Sequence, residues 1–159
     1  MARLVPLTIE SISEQEKSLL VSKFDDETAF AIGIAARNYA LENFKGRSVI
    51  IDITTAAGAC LFRTYIGEIQ PDNETWIQKK RNTVVRFERA SKRYGLELEA
   101  KGRTLQTVGL NPNEYTNYGG GFPIKLASNP AFTFAVITVS GLKDHEDHAV
   151  CVAGLKSVV

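Results

Sequence analysis

Through residues 72–94 the apolar side chains recur at helical spacing, and Trp76, Thr83, Val84, Phe87, Ala90 and Tyr94 project onto one face. Asp72 or Asn73 is placed to cap the start and Gly95 to stop the end, so the pattern predicts one helix over this stretch. Lys80 falls in the middle of that face, between Trp76 and Val84, with Lys79 and Arg86 flanking it. A cation therefore stands where the periodicity reserves a place for a core residue.

The same reading extends to the rest of the chain. Ser11 or Ser13 can cap a short first helix, and residues 18–24 read as a short strand. Asp25 and Asp26 cap a helix running to about Asn43, with Lys45-Gly46 as its stop. That helix has a large stripe (Phe30, Ile34, Leu41, Phe44) and a small stripe (Ala29, Gly33, Ala36, Ala40), which predicts packing on two sides. Residues 48–54 and 59–66 form a hairpin, with Asp52 an acid inside its apolar run. Residues 96–108 alternate weakly and predict a strand, a loop or both. Residues 109–121 are a turn-rich loop of a length that is often functional. Strands follow at 122–124 and 131–139, and Asp144 opens the last helix. This order suits an α+β fold, an antiparallel sheet with helices on its faces.

Composition narrows the classes. The 159 residues, 44% hydrophobic and 23% charged, suit one domain over residues 1–159, with 1–10 as an N-terminal arm. The net charge of +1 hides an uneven distribution: residues 73–93 hold seven Lys or Arg against two Glu. The near-neutral total argues against nucleic acid as a partner. No apolar run reaches the roughly 20 residues of a membrane span and the N-terminus lacks a signal-peptide core, so a cytoplasmic protein without membrane contact is expected. Cys60 and Cys151 lie far apart and read as small hydrophobes rather than as a disulfide or zinc site.

Three places could carry chemistry. Lys80 either snorkels to water or is desolvated, and in the second case it needs a carboxylate, Asp52 or Asp147, and can bind an anion or act as a base. In the run Asp144-His145-Glu146-Asp147-His148, the acids complement the start of a helix, while His145 and His148 are candidate metal ligands that lack a third. Gly119-Gly120-Gly121 allows backbone amides to face an anion, and suits equally a tight strand entry or a subunit contact. A nucleotide P-loop is absent, as is any Ser-His-acid or Cys-His pattern, so no catalytic residue is assigned.

Four blocks in order resemble the haem-degrading domain family: Val49-Ile50-Ile51-Asp52-Ile53 with Gly58 and Leu61-Phe62-Arg63-Thr64; Trp76-Ile77-Gln78-Lys79-Lys80 with Thr83 and Arg86-Phe87; Gly119 to Ile124; and Ser140-Gly141-Leu142 with Glu146-Asp147-His148. Within that family the chain is most similar to the uncharacterised branch beside the GlcG and HbpS proteins. The resemblance implies a profilin-like three-layer fold, an antiparallel sheet of about five strands flanked by helices, assembled as a homo-oligomer. It also implies a ligand pocket at or near a subunit boundary, built from Lys80, Gly119, Gly120, Ser140, Asp147 and His148, with Asp52, Trp76, Arg86 and Tyr118 behind. Were the ligand haem, its iron would fall to Tyr118, His145 or His148. Three functions follow: a small-ligand-binding or accessory protein; an enzyme degrading haem or acting on a small anionic metabolite, with Lys80 as its base or anion-binding group and His148 as its acid or base; or a structural interaction module.

Overall fold

The structure, a computed structural model, describes residues 6–159. Residues 1–5 of the expected arm lie outside the described residues, and from Ile9 the chain is already helical in α1 (Ile9–Ser18). Thr8 caps this helix, its hydroxyl accepting from the Ser11 amide while the Ser11 hydroxyl accepts from the Thr8 amide. Ser11 is therefore the returning partner of the cap rather than the cap itself. The strand expected over 18–24 reduces to one bridge, Val21 beside Leu126, because Leu19 and Val21 bury themselves in the core instead of joining a ladder.

Helix α2 (Asp26–Asn43) begins at Asp25, whose carboxylate accepts from the Thr28 amide at 2.8 Å. Its buried face is the small stripe, and Phe30 and Leu41 of the large stripe are 58% and 43% exposed. Strands β1 (Val49–Thr55) and β2 (Cys60–Ile66) pair as the expected hairpin. Helix α3 (Pro71–Phe87) and helix α4 (Ser91–Ala100) follow, then β3 (Gly121–Ile124), β4 (Ala135–Ser140) and α5 (Asp144–Lys156). The sheet is antiparallel in the order β2-β1-β4-β3, four strands rather than about five. Strand alternation sends Ile51, Ile53, Ile137 and Val139 into the main core under α2 and α5, and turns Ile50, Asp52, Thr54 and Thr138 toward α3. The result is the expected α+β arrangement of a sheet between helical layers. Among the described residues no helix is long and apolar enough to cross a membrane.

The single helix expected over 72–94 is broken. Glu88 adopts a left-handed conformation (φ 54°), and the chain restarts at Ser91. The bend is tied down from three sides: Glu88 Oε1 accepts from the Thr133 amide, its carbonyl accepts from Lys125 Nζ, and Glu16 accepts from the Ala90 amide. Phe87 and Tyr94 remain neighbours across the bend, with ring centroids 4.1 Å apart, so the apolar periodicity runs on unchanged. With Val108 and Tyr115 they cover a second small core of Leu98, Leu105 and Leu110, which gives the loop after α4 a packed interior of its own. Residues 96–108 are consequently helix and loop, not strand.

Gly95 is not a stop; it lies inside α4, where a Cβ would come 2.0 Å from the Asn117 carbonyl oxygen. Gly→Ala in a helix interior ordinarily stabilises by about 1 kcal/mol. Here Gly95→Ala should instead destabilise by about 1–3 kcal/mol, read as a lower urea midpoint. A midpoint that rises would show that the loop does not press on α4.

Candidate functional site

Lys80 is buried on α3, 3% exposed, between the apolar Ile77 and Val84. Its ammonium donates to the Val139 carbonyl at 2.8 Å and to Asp147 Oδ2 at 2.9 Å. Asp147 is 2% exposed, and its other oxygen accepts from the Leu142 amide at 3.1 Å. The contact joins helices on opposite faces of the sheet, and it passes through the gap that Gly120 leaves where β3 begins. A Cβ at Gly120 would lie 2.4 Å from the Val139 oxygen, 2.7 Å from Lys80 Nζ and 2.8 Å from Asp147 Cβ, and its φ of +118° suits glycine alone. Burial pushes the Asp147 carboxyl up to about 6, against the pull of Lys80 and the Leu142 amide.

Asp52, the other acid considered for Lys80, is fully buried but committed elsewhere. Sheet register sets it opposite Arg63, and it accepts from Arg63 Nε and Arg81 Nη2, each at 2.8 Å, and from Thr54 Oγ1 at 2.6 Å. Asp52 is thus held by two arginines and Asp147 by Lys80.

Beside the Lys80–Asp147 pair lies a cleft of about 700 Å³. One wall is aromatic, Trp76 and Tyr118, with ring centroids 5.7 Å apart. The others are the first turn of α3 (Asp72, Asn73) and the stretch from Ser140 through Lys143 into the first turn of α5. Two helix amino termini therefore open onto one cavity, where their dipoles favour negative charge, part of which is already met by Asp72 of α3 and by Asp144 and Asp147 of α5, the last two paired with Lys92 and Lys80. Asp144 sits on the rim, where burial works to raise its carboxyl but Lys92 Nζ at 2.7 Å and the Gly119 amide hold it below the usual carboxylate range.

Six residues singled out in the sequence line this cleft: Trp76, Lys80, Tyr118, Ser140, His145 and Asp147. Gly119 and Gly120 stand behind it, serving the Asp144 and Asp147 contacts. Asp52, Arg86 and His148 are not part of it. Arg86 packs over the Phe87 and Tyr115 rings and reaches the Tyr115 hydroxyl. His148, 1% exposed, meets Gln15 Oε1 of α1 at 2.7 Å and the edge of Phe122, so it is a core side chain locking α1 to α5. His145 is exposed and faces the cleft, so the two histidines do not converge on one metal, and no grouping of three metal-binding side chains is present among the described residues. Asp144, part of the acidic run marked in the sequence, lines the cleft as well, whereas Lys143 had no signal there beyond the helix start it adjoins.

Two outcomes test these placements. Lys80→Ala strands a buried carboxylate and should cost on the order of 3 kcal/mol, a loss that shrinks in Lys80→Ala with Asp147→Asn but not with Asp52→Asn. Strict additivity with Asp147→Asn in denaturant titrations would remove the pairing. Burial, aided by Lys92 and opposed by Asp144, lowers the His148 pKa from its usual value to about 4. Its stabilising contribution is thus present above the usual histidine range and drains as pH falls toward about 4. The His148 ring signals in NMR should accordingly stay at the neutral position well below pH 6; a midpoint near the ordinary 6.5 would contradict the burial.

Compared with known proteins, residues 24–156 match the family described as haem degrading protein HbpS-like. The chain is 39% identical over 152 residues to a UPF0303 protein of Burkholderia mallei, covering 95% of this chain and 89% of that one. It is 35% identical over 147 residues to a UPF0303 protein of Rhizobium johnstonii, covering 92% and 88%. The solved Ybr137w protein superposes with a TM-score of 0.87 at 34% identity, over 94% of this chain and 86% of that chain. A double mutant of Streptomyces reticuli HbpS gives 0.66 at 19% identity over 100% and 98%. A complex of PduOC with haem gives 0.68 at 14% over 85% and 94%. At these last two identities the likeness is one of fold.

Proposed function

The chain belongs to the HbpS-like haem-degrading family, and on that footing we propose that it is a homo-oligomeric protein that binds a small, flat, anionic ligand in the cleft between α3 and α5. The observation that carries the reading is the pairing of an aromatic wall, Trp76 and Tyr118, with two helix amino termini and the Lys143 ammonium across one cavity. Lys80, expected to hold the anion, is spent on Val139 and Asp147, so it shapes the cleft while Lys143 faces the ligand. Exposed apolar side chains on α2 and the edge strand β2 (Phe30, Leu41, Leu61, Tyr65) supply a surface for association. Cytoplasmic residence suits the two free cysteines, Cys60 and Cys151.

Haem fits the donor set. His145 and Tyr118 are both exposed at the cleft and are iron-ligating side chains, with Lys143 on hand for a carboxylate. Bound there, haem would supply redox or oxygen chemistry. An enzyme is the second reading, and what favours it is Asp147, whose carboxyl is raised to about 6 at the cleft. Against it, both Asp147 oxygens are engaged, and His148 is sealed behind α1.

Native mass spectrometry of the purified protein, followed by haemin titration read at the Soret band, tests the reading. A co-purified small anion, or saturable haemin binding, should weaken at least about tenfold in Tyr118→Ala and in Lys143→Ala and be unchanged in Arg86→Ala. Equal binding by Tyr118→Ala would contradict the cleft. Light scattering should give a multiple of 17.5 kDa, and a monomer at micromolar concentration would remove the oligomer.

A further inference from the structure

On the far side of the Trp76–Tyr118 wall lies a second cavity of about 420 Å³, between α3 and the loop that follows α4. Trp76 and Tyr118 border both cavities, so the two are adjoining compartments that share this pair as a wall. Its charge differs from that of the first. Lys79 and Arg103 line it and no acid does. Neither cation takes part in any ion pair found among the described residues. Lys79 Nζ is positioned 4.6 Å from the centre of the Trp76 ring, which holds the ammonium over the aromatic wall while leaving its protons for another acceptor.

The compartment is built on firm ground. Its loop wall is anchored by the Leu98, Leu105 and Leu110 core and by the buried Thr116, whose amide and carbonyl both bond to the Thr83 hydroxyl of α3. Thr104, which lines the compartment, exchanges amide-to-hydroxyl bonds with Thr107. Two unpaired cations on a preformed aromatic-walled cavity are the arrangement that recognises an oxyanion attached to a flat body.

We propose that this compartment takes a phosphate or carboxylate group of the cleft ligand, which lies against Trp76 and Tyr118 and is gripped at its far end by Lys79 and Arg103. The inference rests on the cleft reading for the ligand's flat body, but the anion site stands on its own residues.

Trp76 is the sole tryptophan, so its indole N–H resonance reports the shared wall without labelling. Phenyl phosphate titrated into the full-length protein should shift that resonance saturably. Lys79→Gln with Arg103→Gln should weaken this binding at least about tenfold, and Lys17→Gln, an exposed lysine on α1 outside both cavities, should leave it unchanged. Phenol, with the same ring and no phosphate, should bind far more weakly. The inference is overturned if the paired substitution changes nothing, if phenol binds as well as phenyl phosphate, or if no shift is seen. It is also overturned if Lys143→Gln alone abolishes the shift, since the anion would then sit in the first compartment and the cleft reading would survive without this one.

Discussion

The ion pair between Lys80 and Asp147 is the constraint from which the arrangement of this protein follows. Two charges taken out of water cost several kcal/mol each unless geometry and further hydrogen bonds compensate. Here the Val139 carbonyl and the Leu142 amide complete the set, and Gly120 supplies the space through which the ammonium reaches. Because the partners stand on α3 and α5, on opposite faces of the sheet, the pair fixes how these helices meet around the end of β4. Their amino termini are thereby brought to one cavity. The cleft between α3 and α5 follows from where a buried charge could be satisfied.

Much of the fold was legible because most elements carry their own signals. Capping aspartate, small and large stripes and a glycine stop mark α2; the hairpin and β4 follow from apolar runs and turns. The break at Glu88 was hidden because Phe87 and Tyr94 stay stacked across it, so the sequence pattern of a bent pair of helices is that of one continuous helix. Gly95 misled for the opposite reason. Its lack of a side chain answers to the Asn117 backbone, a contact from a residue 22 positions away that no local rule contains.

The site divides along the same line. Lys80 announced itself as a cation on an apolar face, and that reading needed only helical periodicity. Choosing its partner between Asp52 and Asp147 required sheet register, which assigns Asp52 to Arg63 and leaves Asp147 for the lysine. Asp147 and His148 are adjacent, yet a helix turns about 100° per residue, so one faces the cleft and the other the packing of α1. Trp76 and Tyr118 came together only through the loop that the second small core holds in place.

Amide hydrogen exchange reads whether the buried pair holds α3 and α5 together. Lys80→Met keeps much of the length and apolar stem of the side chain and removes its charge, so the consequence of unpairing Asp147 can be read locally. In Lys80→Met the Leu142 amide, which donates to Asp147, and the first turn of α5 should lose protection by about tenfold or more, while the β1–β2 ladder loses much less. Protection at Leu142 that is unchanged, or that falls no further than the ladder, would show that the buried pair does not hold the two helices in place.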